Sequence, residues 1–319
     1  MSNRNKIFFV CLSISLIFFF LLDVFVGQID LDLTNSLHRQ VLFSLRLPKA
    51  ITAVIAGIGL SLSGLMMQTL FRNPLAGPYI LGVSSGATLG VAAVLMVGAA
   101  LGIVGMSNWL SIMAAIIGST LVLLLVLAIS HKIRHSVSLL IVGMMIGSMA
   151  SAVVNIIQNY ANPDALKLFI VWTFGSLSAV TWQQLEILVP IFFVGCVIAV
   201  CLIKPLNGLL MGENQGRALG VDVKKTRLLI ILSTGLLAGG ITAFTGPIAF
   251  IGIAVPHIAR GLFRSTTHNV IMPATMLIGA TLLLVCDMLS GLTTYPLPIS
   301  TVTALFGAPI VIWIIVKKK

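Results

Sequence analysis

Apolar runs of about twenty residues recur along this chain, and that repetition decides its fold class before anything else does. Clear runs cover 7–27, 50–71, 108–130, 137–159, 183–203, 225–244, 271–291 and 299–316. One such run, wound as a helix, crosses the hydrocarbon core of a bilayer, roughly 30 Å thick. Two further stretches, 79–104 and 247–262, are apolar but broken by glycine and proline, and counting both gives ten spans. The runs are too long for barrel strands and do not alternate in polarity, so a closed barrel is excluded. The expected class is all-α: a polytopic membrane protein of about ten transmembrane helices, forming one transmembrane domain over 1–319. Residues 1–27 carry Arg4 and Lys6 ahead of their apolar run and lack a small-x-small cleavage site, so they are expected to stay as the first span.

Composition closes the other routes. Only 8% of the 319 residues are charged and 58% are hydrophobic. A soluble domain carries roughly 25% charged residues. A soluble enzyme, a disordered chain and a nucleic-acid binder are therefore excluded. The net charge of +11 serves orientation instead. With the N-terminus inside, the ten-span arrangement puts 15 Lys and Arg in internal segments and four (Arg39, Arg46, Lys49 and Lys167) outside. Both termini are then expected in the cytoplasm. No GxxxxGK[ST] loop occurs, so any energy from ATP must come from a partner.

Two interrupted segments echo each other. Phe71-Arg-Asn-Pro-Leu-Ala-Gly-Pro-Tyr-Ile-Leu-Gly82 and Phe244-Thr-Gly-Pro-Ile-Ala-Phe-Ile-Gly252 each set Pro and Gly between a long span and a short one. The first break is expected inside and the second outside, giving two units of opposite topology, 50–159 and 225–316. Inverted repeats with Gly/Pro-interrupted helices point to a transporter, whose pathway must open to each side in turn. Kinked helices are the plainer reading.

Few residues carry chemistry. The longest internal loop, Lys204 to Arg227, holds a short helical pattern over Glu213 to Leu219 with Gly220 as its C-cap. Glu213 and Arg217 are spaced i,i+4. Such a helix suits a partner's cleft, and a solvated turn suits it equally. Arg46 and Lys49, two bases against the orientation trend, would either meet acidic side chains of an external partner or anchor in lipid headgroups. Asp23 and Asp287 lie near span ends in different helices. They make a thin proton relay, and Asp287 is better read as pairing within the bundle. Met66, Met67, Met144, Met145 and Met149 read as flexible packing. Cys11, Cys196, Cys201 and Cys286 read as small buried hydrophobes without ligand spacing. His257 reads as structural, and His131 with His135 as a poor metal pair. No carboxylate cluster suggests a metal site, and no cofactor is implied.

These segments, in this order, resemble the FecCD family, the permeases of binding-protein-dependent ABC importers for iron–siderophore complexes, haem and vitamin B12. The resemblance runs from about Arg46 to Trp313. It rests on Arg46-Leu-Pro-Lys49, Gln68-Thr-Leu-Phe-Arg-Asn-Pro-Leu75, Leu81-Gly-Val-Ser-Ser-Gly-Ala87, Gly212 to Gly220, Gly246-Pro-Ile-Ala-Phe-Ile-Gly252 with Val255-Pro-His-Ile-Ala-Arg260, and Leu297-Pro-Ile-Ser300 before Gly307-Ala-Pro309. It implies a type II ABC importer permease fold with ten spans per subunit and a homodimer in the cytoplasmic (inner) membrane. It also implies a pathway at the dimer interface, two copies of a cytoplasmic ATPase below and an extracytoplasmic substrate-binding protein above. By the same resemblance Gly212, Glu213, Arg217, Leu219 and Gly220 belong to the ATPase-coupling loop, Arg46 and Lys49 to binding-protein docking, and Asn73, Pro74, Leu75, Ser136 and Val137 to the inner gate. The sequence departs from the family pattern at Gly291 and Pro296, where an Arg and an acid are common. The expected cargo is an iron–siderophore complex, with haem or cobalamin as alternatives and an ion-driven secondary transporter as the rival. The chain itself is not expected to be an enzyme.

Overall fold

The computed structural model describes residues 3–26, 34–100, 108–133, 136–292 and 295–317. Arg134, His135, residues 293–294 of the divergent stretch and the last two lysines of the tail lie outside the described residues. The described residues form helices and turns only. In chain order these are α1 (Asn3–Phe25), α2 (Ser36–Phe71), α3 (Val83–Ala100), α4 (Asn108–Ser130), α5 (Ser136–Tyr160), α6 (Pro163–Thr173), α7 (Trp182–Cys201), α8 (Ile203–Leu209), α9 (Glu213–Ala218), α10 (Val223–Thr245), α11 (Ile251–Phe263), α12 (His268–Ser290) and α13 (Ile299–Lys317).

Eight of the helices are long and apolar enough to cross a membrane, and α11 and α13 carry shorter apolar stretches, Ile251–Phe263 and Ile299–Ile312. Eight and two agree with the expected ten. The interrupted stretch 79–104 yields a span of full length in α3, whereas α11, at 13 residues, covers only about 20 Å. The turn before it must cover the rest.

Two elements depart from the sequence reading. Arg46 and Lys49 do not lie in a loop, because one helix runs from Ser36 to Phe71. A π-turn at Leu42–Arg46 shifts its register, and the Trp182 indole donates to the Phe43 carbonyl at 2.7 Å. The segment after α5 is a helix, α6, where a plain loop was expected. Asn162 caps it by accepting from the Ala165 amide at 2.8 Å, and Pro163 opens its first turn.

α2 is the axis of the bundle. Its middle is buried on all sides, with Ala53, Leu60, Leu65, Met66 and Met67 essentially inaccessible. α12 and α11 pack against it closely. A β-carbon on Gly64 would run into the Gly252 carbonyl, so only glycine permits this approach. Outer helices turn apolar faces outward instead. Ile7, Ile14 and Phe18 of α1 are more than half exposed, as expected of lipid-facing positions, since the bilayer solvates them. Cys11 and Cys201 are exposed and Cys196 half-buried, and only Cys286 is buried. The reading of all four cysteines as buried therefore holds for Cys286 alone, because α1 and α7 are peripheral.

Candidate functional site

The two breaks meet. α2 ends at Arg72 in the left-handed region, φ 48°, and the chain runs back as an extended stretch and a 3-10 turn over Pro78–Leu81. α10 ends at Gly246, φ 72°, and Phe250, φ 65°, precedes α11. The Tyr79 hydroxyl donates to the Ile248 carbonyl at 3.0 Å and accepts from the Ile248 amide at 3.2 Å. Segments expected at opposite faces thus touch, through Tyr79 of the 3-10 turn. The Ile248 amide and carbonyl, freed by the second break, are thus satisfied by a side chain of the first.

One end of the bundle gathers Asp23 of α1, Arg46 and Lys49 of α2, and Asp287 of α12. They line a pocket of about 580 Å³ together with Ser178, Ser290, Gly291 and Pro296. Lys49 Nζ lies 2.7 Å from Asp287 Oδ2 and 3.3 Å from Asp23 Oδ1. Both carboxylates are buried, and the Lys49 side chain is 20% exposed. Asp287 therefore pairs within the bundle, as expected, and Asp23 does the same. Arg46 donates to the Phe25 carbonyl at 3.0 Å and to that of Val24 at 3.4 Å, where the C-terminal carbonyls of α1 concentrate negative potential. The two bases expected to face an external partner are thus engaged internally, while still bordering an open pocket. Gly291 and Pro296, the two departures from the family pattern, border the same pocket.

The opposite end gathers the other expected residues. α9 begins after Gly212 (φ 106°), and Gly220 (φ 83°) closes it. The Val221 amide bonds back to the Gly216 carbonyl at 2.9 Å, a capping arrangement a side chain at Gly220 would strain. The helix and its glycine stop match the sequence reading. Glu213 makes the expected i,i+4 contact and two closer ones. Its i,i+4 contact with Arg217 is 4.0 Å and largely exposed. Its close partners are Arg227 of α10, at 3.0 Å, and the Ser136 hydroxyl, which donates to the same Oε1. Ser136 is buried, whereas its neighbour Val137 is 63% exposed. One coupling candidate and one gate candidate thus share a hydrogen bond.

The Asn73-Pro74-Leu75 turn sits at this end too. Asn73 accepts from the Leu75 amide at 2.9 Å, and the Pro74 carbonyl bonds His257 Nε2 at 2.7 Å. His257 is structural, as read, and it ties α11 to the turn. The loop holding α9 is anchored through Asn207, whose side chain meets the His268 amide at 2.7 Å and the Asn269 side chain at 2.8 Å. Leu219 and Met211 project outward on either side of α9, 66% and 63% exposed.

Sequence reasoning missed Arg227, counted only as one more internal base, and Met211. A base five residues into a span, where a carboxylate lies fourteen residues upstream, was the signal available for Arg227. The methionines also divide. Met66 and Met67 are core, as expected, but Met144, Met145 and Met149 of α5 are 48–63% exposed. With Ser148 and Ser151 they mark an open face of α5, part of which borders a second pocket of about 520 Å³ with Tyr79 and Ile80.

The FecCD transport family matches residues 12–317. The vitamin B12 import system permease protein BtuC of Klebsiella pneumoniae is 34% identical over 281 residues, covering 87% of this chain and 83% of that protein. BtuC of Escherichia coli is 32% identical over 99% of this chain and 96% of its own length. Among solved structures, a metal-chelate type ABC transporter in an inward-facing conformation superposes with TM-score 0.88 at 32% identity, covering 98% of this chain and 99% of that one. A family match over nearly the whole chain, joined to this bundle, means that the chain belongs to the FecCD transport family as a multi-pass ABC importer permease.

Proposed function

We propose that this chain is the permease of a vitamin B12 importer and translocates cobalamin by alternating access. The observation that carries the cargo is the identity of 32–34% to BtuC proteins over most of both lengths. It supports cobalamin over the iron–siderophore complex expected from sequence. A ferric siderophore is the second reading, favoured by the similarity to a metal-chelate type transporter. The working unit is a homodimer with two copies of a partner ATPase, which hydrolyses the ATP, and one extracytoplasmic binding protein. The units 50–159 and 225–316 act as inverted repeats, with both termini on the ATPase side. The open α5 face, starting at Val137, lines the pathway together with the Asn73-Pro74-Leu75 turn.

The coupling surface is α9, and Met211 and Leu219 are its apolar contacts. Docking uses the Arg46 and Lys49 pocket. Because Lys49 is already held by two carboxylates, Arg46 carries the larger part. Uptake of labelled cobalamin, haem and ferric siderophores, offered separately to a strain deleted for this gene, tests the cargo. Loss of cobalamin uptake alone, restored by the wild-type chain and not by Glu213→Arg, is the expected result. Loss of siderophore uptake alone reverses the cargo order, and unchanged uptake of all three overturns the proposal.

A further inference from the structure

Arg227 is 4% exposed, yet it carries a full charge at the start of a span. A buried guanidinium persists only where its donors are engaged. Here Nη1 donates to the Ile133 carbonyl at 2.8 Å, and Nη2 reaches Glu213 Oε1 at 3.0 Å and Ser136 Oγ at 3.5 Å. Ser136 in turn donates to Glu213 Oε1. One side chain therefore binds three pieces of chain: α9, the residues leading into α5, and α10, on which it stands. The exposed Arg217 cannot hold Glu213 in this way, because a solvent-screened pair at 4.0 Å contributes little.

The geometry points to Arg227 as the positioning residue of the transport cycle: it joins α9 to the first turn of α5, so that a displacement of α9 moves the gate at Val137. This rests on the proposed role of α9 as the ATPase contact. The planar fork is needed. A lysine would bring its donors to a single nitrogen, whereas the guanidinium sets one nitrogen on the Ile133 carbonyl and another on the Glu213 carboxylate in one rigid plane.

The test uses the full complex with its ATPase in proteoliposomes, with spin labels at Val137→Cys in both copies. The readout is the ATP-driven change in label distance, measured beside the ATPase rate. In the Arg227→Met variant the distance change is lost while the assembled complex still hydrolyses ATP. Arg227→Lys recovers part of it. Glu213→Gln with Arg227→Met together leaves no unpaired buried charge, so this pair folds even where the single variant does not. It is no worse than either single change, because both remove one link. A full distance change in Arg227→Met, or in the double variant, overturns the inference. Leu219→Arg separates the two claims. If it leaves ATPase assembly intact, α9 is not the contact and the underlying reading fails. If it abolishes assembly while Arg227→Met keeps the full distance change, only the role of Arg227 fails.

Discussion

At one end of the bundle two buried carboxylates share a single ammonium, and at the other a single carboxylate is shared by a buried guanidinium and a hydroxyl. The Lys49 cluster joins α1, α2 and α12. It borders the open pocket at the start of α2, with both carboxylates buried. The Glu213 cluster joins a short, largely exposed helix to the ends of two spans. Both are ionic, but they do different work. Three spans held by one ammonium resist separation, because pulling any one away strands a charge in low dielectric. A six-residue helix held by one guanidinium is free to move as a unit with whatever that guanidinium also holds. Ionic contacts in this family member thus lock one end and link parts at the other.

The contrast can be broken most directly at Lys49. Lys49→Met leaves two buried carboxylates facing each other and should cost about 3–5 kcal/mol, read as a lower unfolding midpoint in detergent. Restoring neutrality with Lys49→Met and Asp287→Asn together should return much of that loss. A Lys49→Met variant that melts with the wild type would show that the cluster locks nothing. Next in size is Gly64→Ala. Its new methyl meets the Gly252 carbonyl, so α11 must move off α2, and about 1–3 kcal/mol of stability should be lost in the same assay. At the other end, Ser136→Ala removes one hydrogen bond to Glu213 and should cost about 1 kcal/mol. The smallest effect belongs to Arg217→Ala, whose exposed ion pair is worth about 0.5 kcal/mol or less. If Arg217→Ala proved more damaging than Ser136→Ala, Glu213 would be held by its own helix and the comparison would lose its second half.

Much of this architecture was legible beforehand. Apolar run length exposed the spans, because a bilayer imposes a length that composition cannot disguise. The stop at Gly220 was legible because a left-handed cap leaves a recognisable residue behind. The partners of Lys49 and Glu213 were not. Asp23 and Asp287 are 264 residues apart, and Ser136 and Glu213 are 77 apart. Only packing brings them together, and no local pattern records it. The helix of Pro163–Thr173 was hidden for a different reason: 11 residues are too few to show a membrane run and were absorbed into a loop. The exposed methionines of α5 look the same in sequence as the buried pair of α2, since exposure depends on where a helix sits in the bundle.

The Tyr79 hydroxyl bonds both polar groups of one peptide residue, Ile248, and Thr242 approaches the same oxygen at 3.4 Å. Each break alone would be a hinge, with its own rest position and its own freedom. Fastened to each other, the two hinges have one rest position between them. Rotation about either must carry the other along or sever two hydrogen bonds at once. Half-open arrangements, with one interrupted helix swung and its counterpart still, are thereby disfavoured, and the subunit is biased toward switching as a whole.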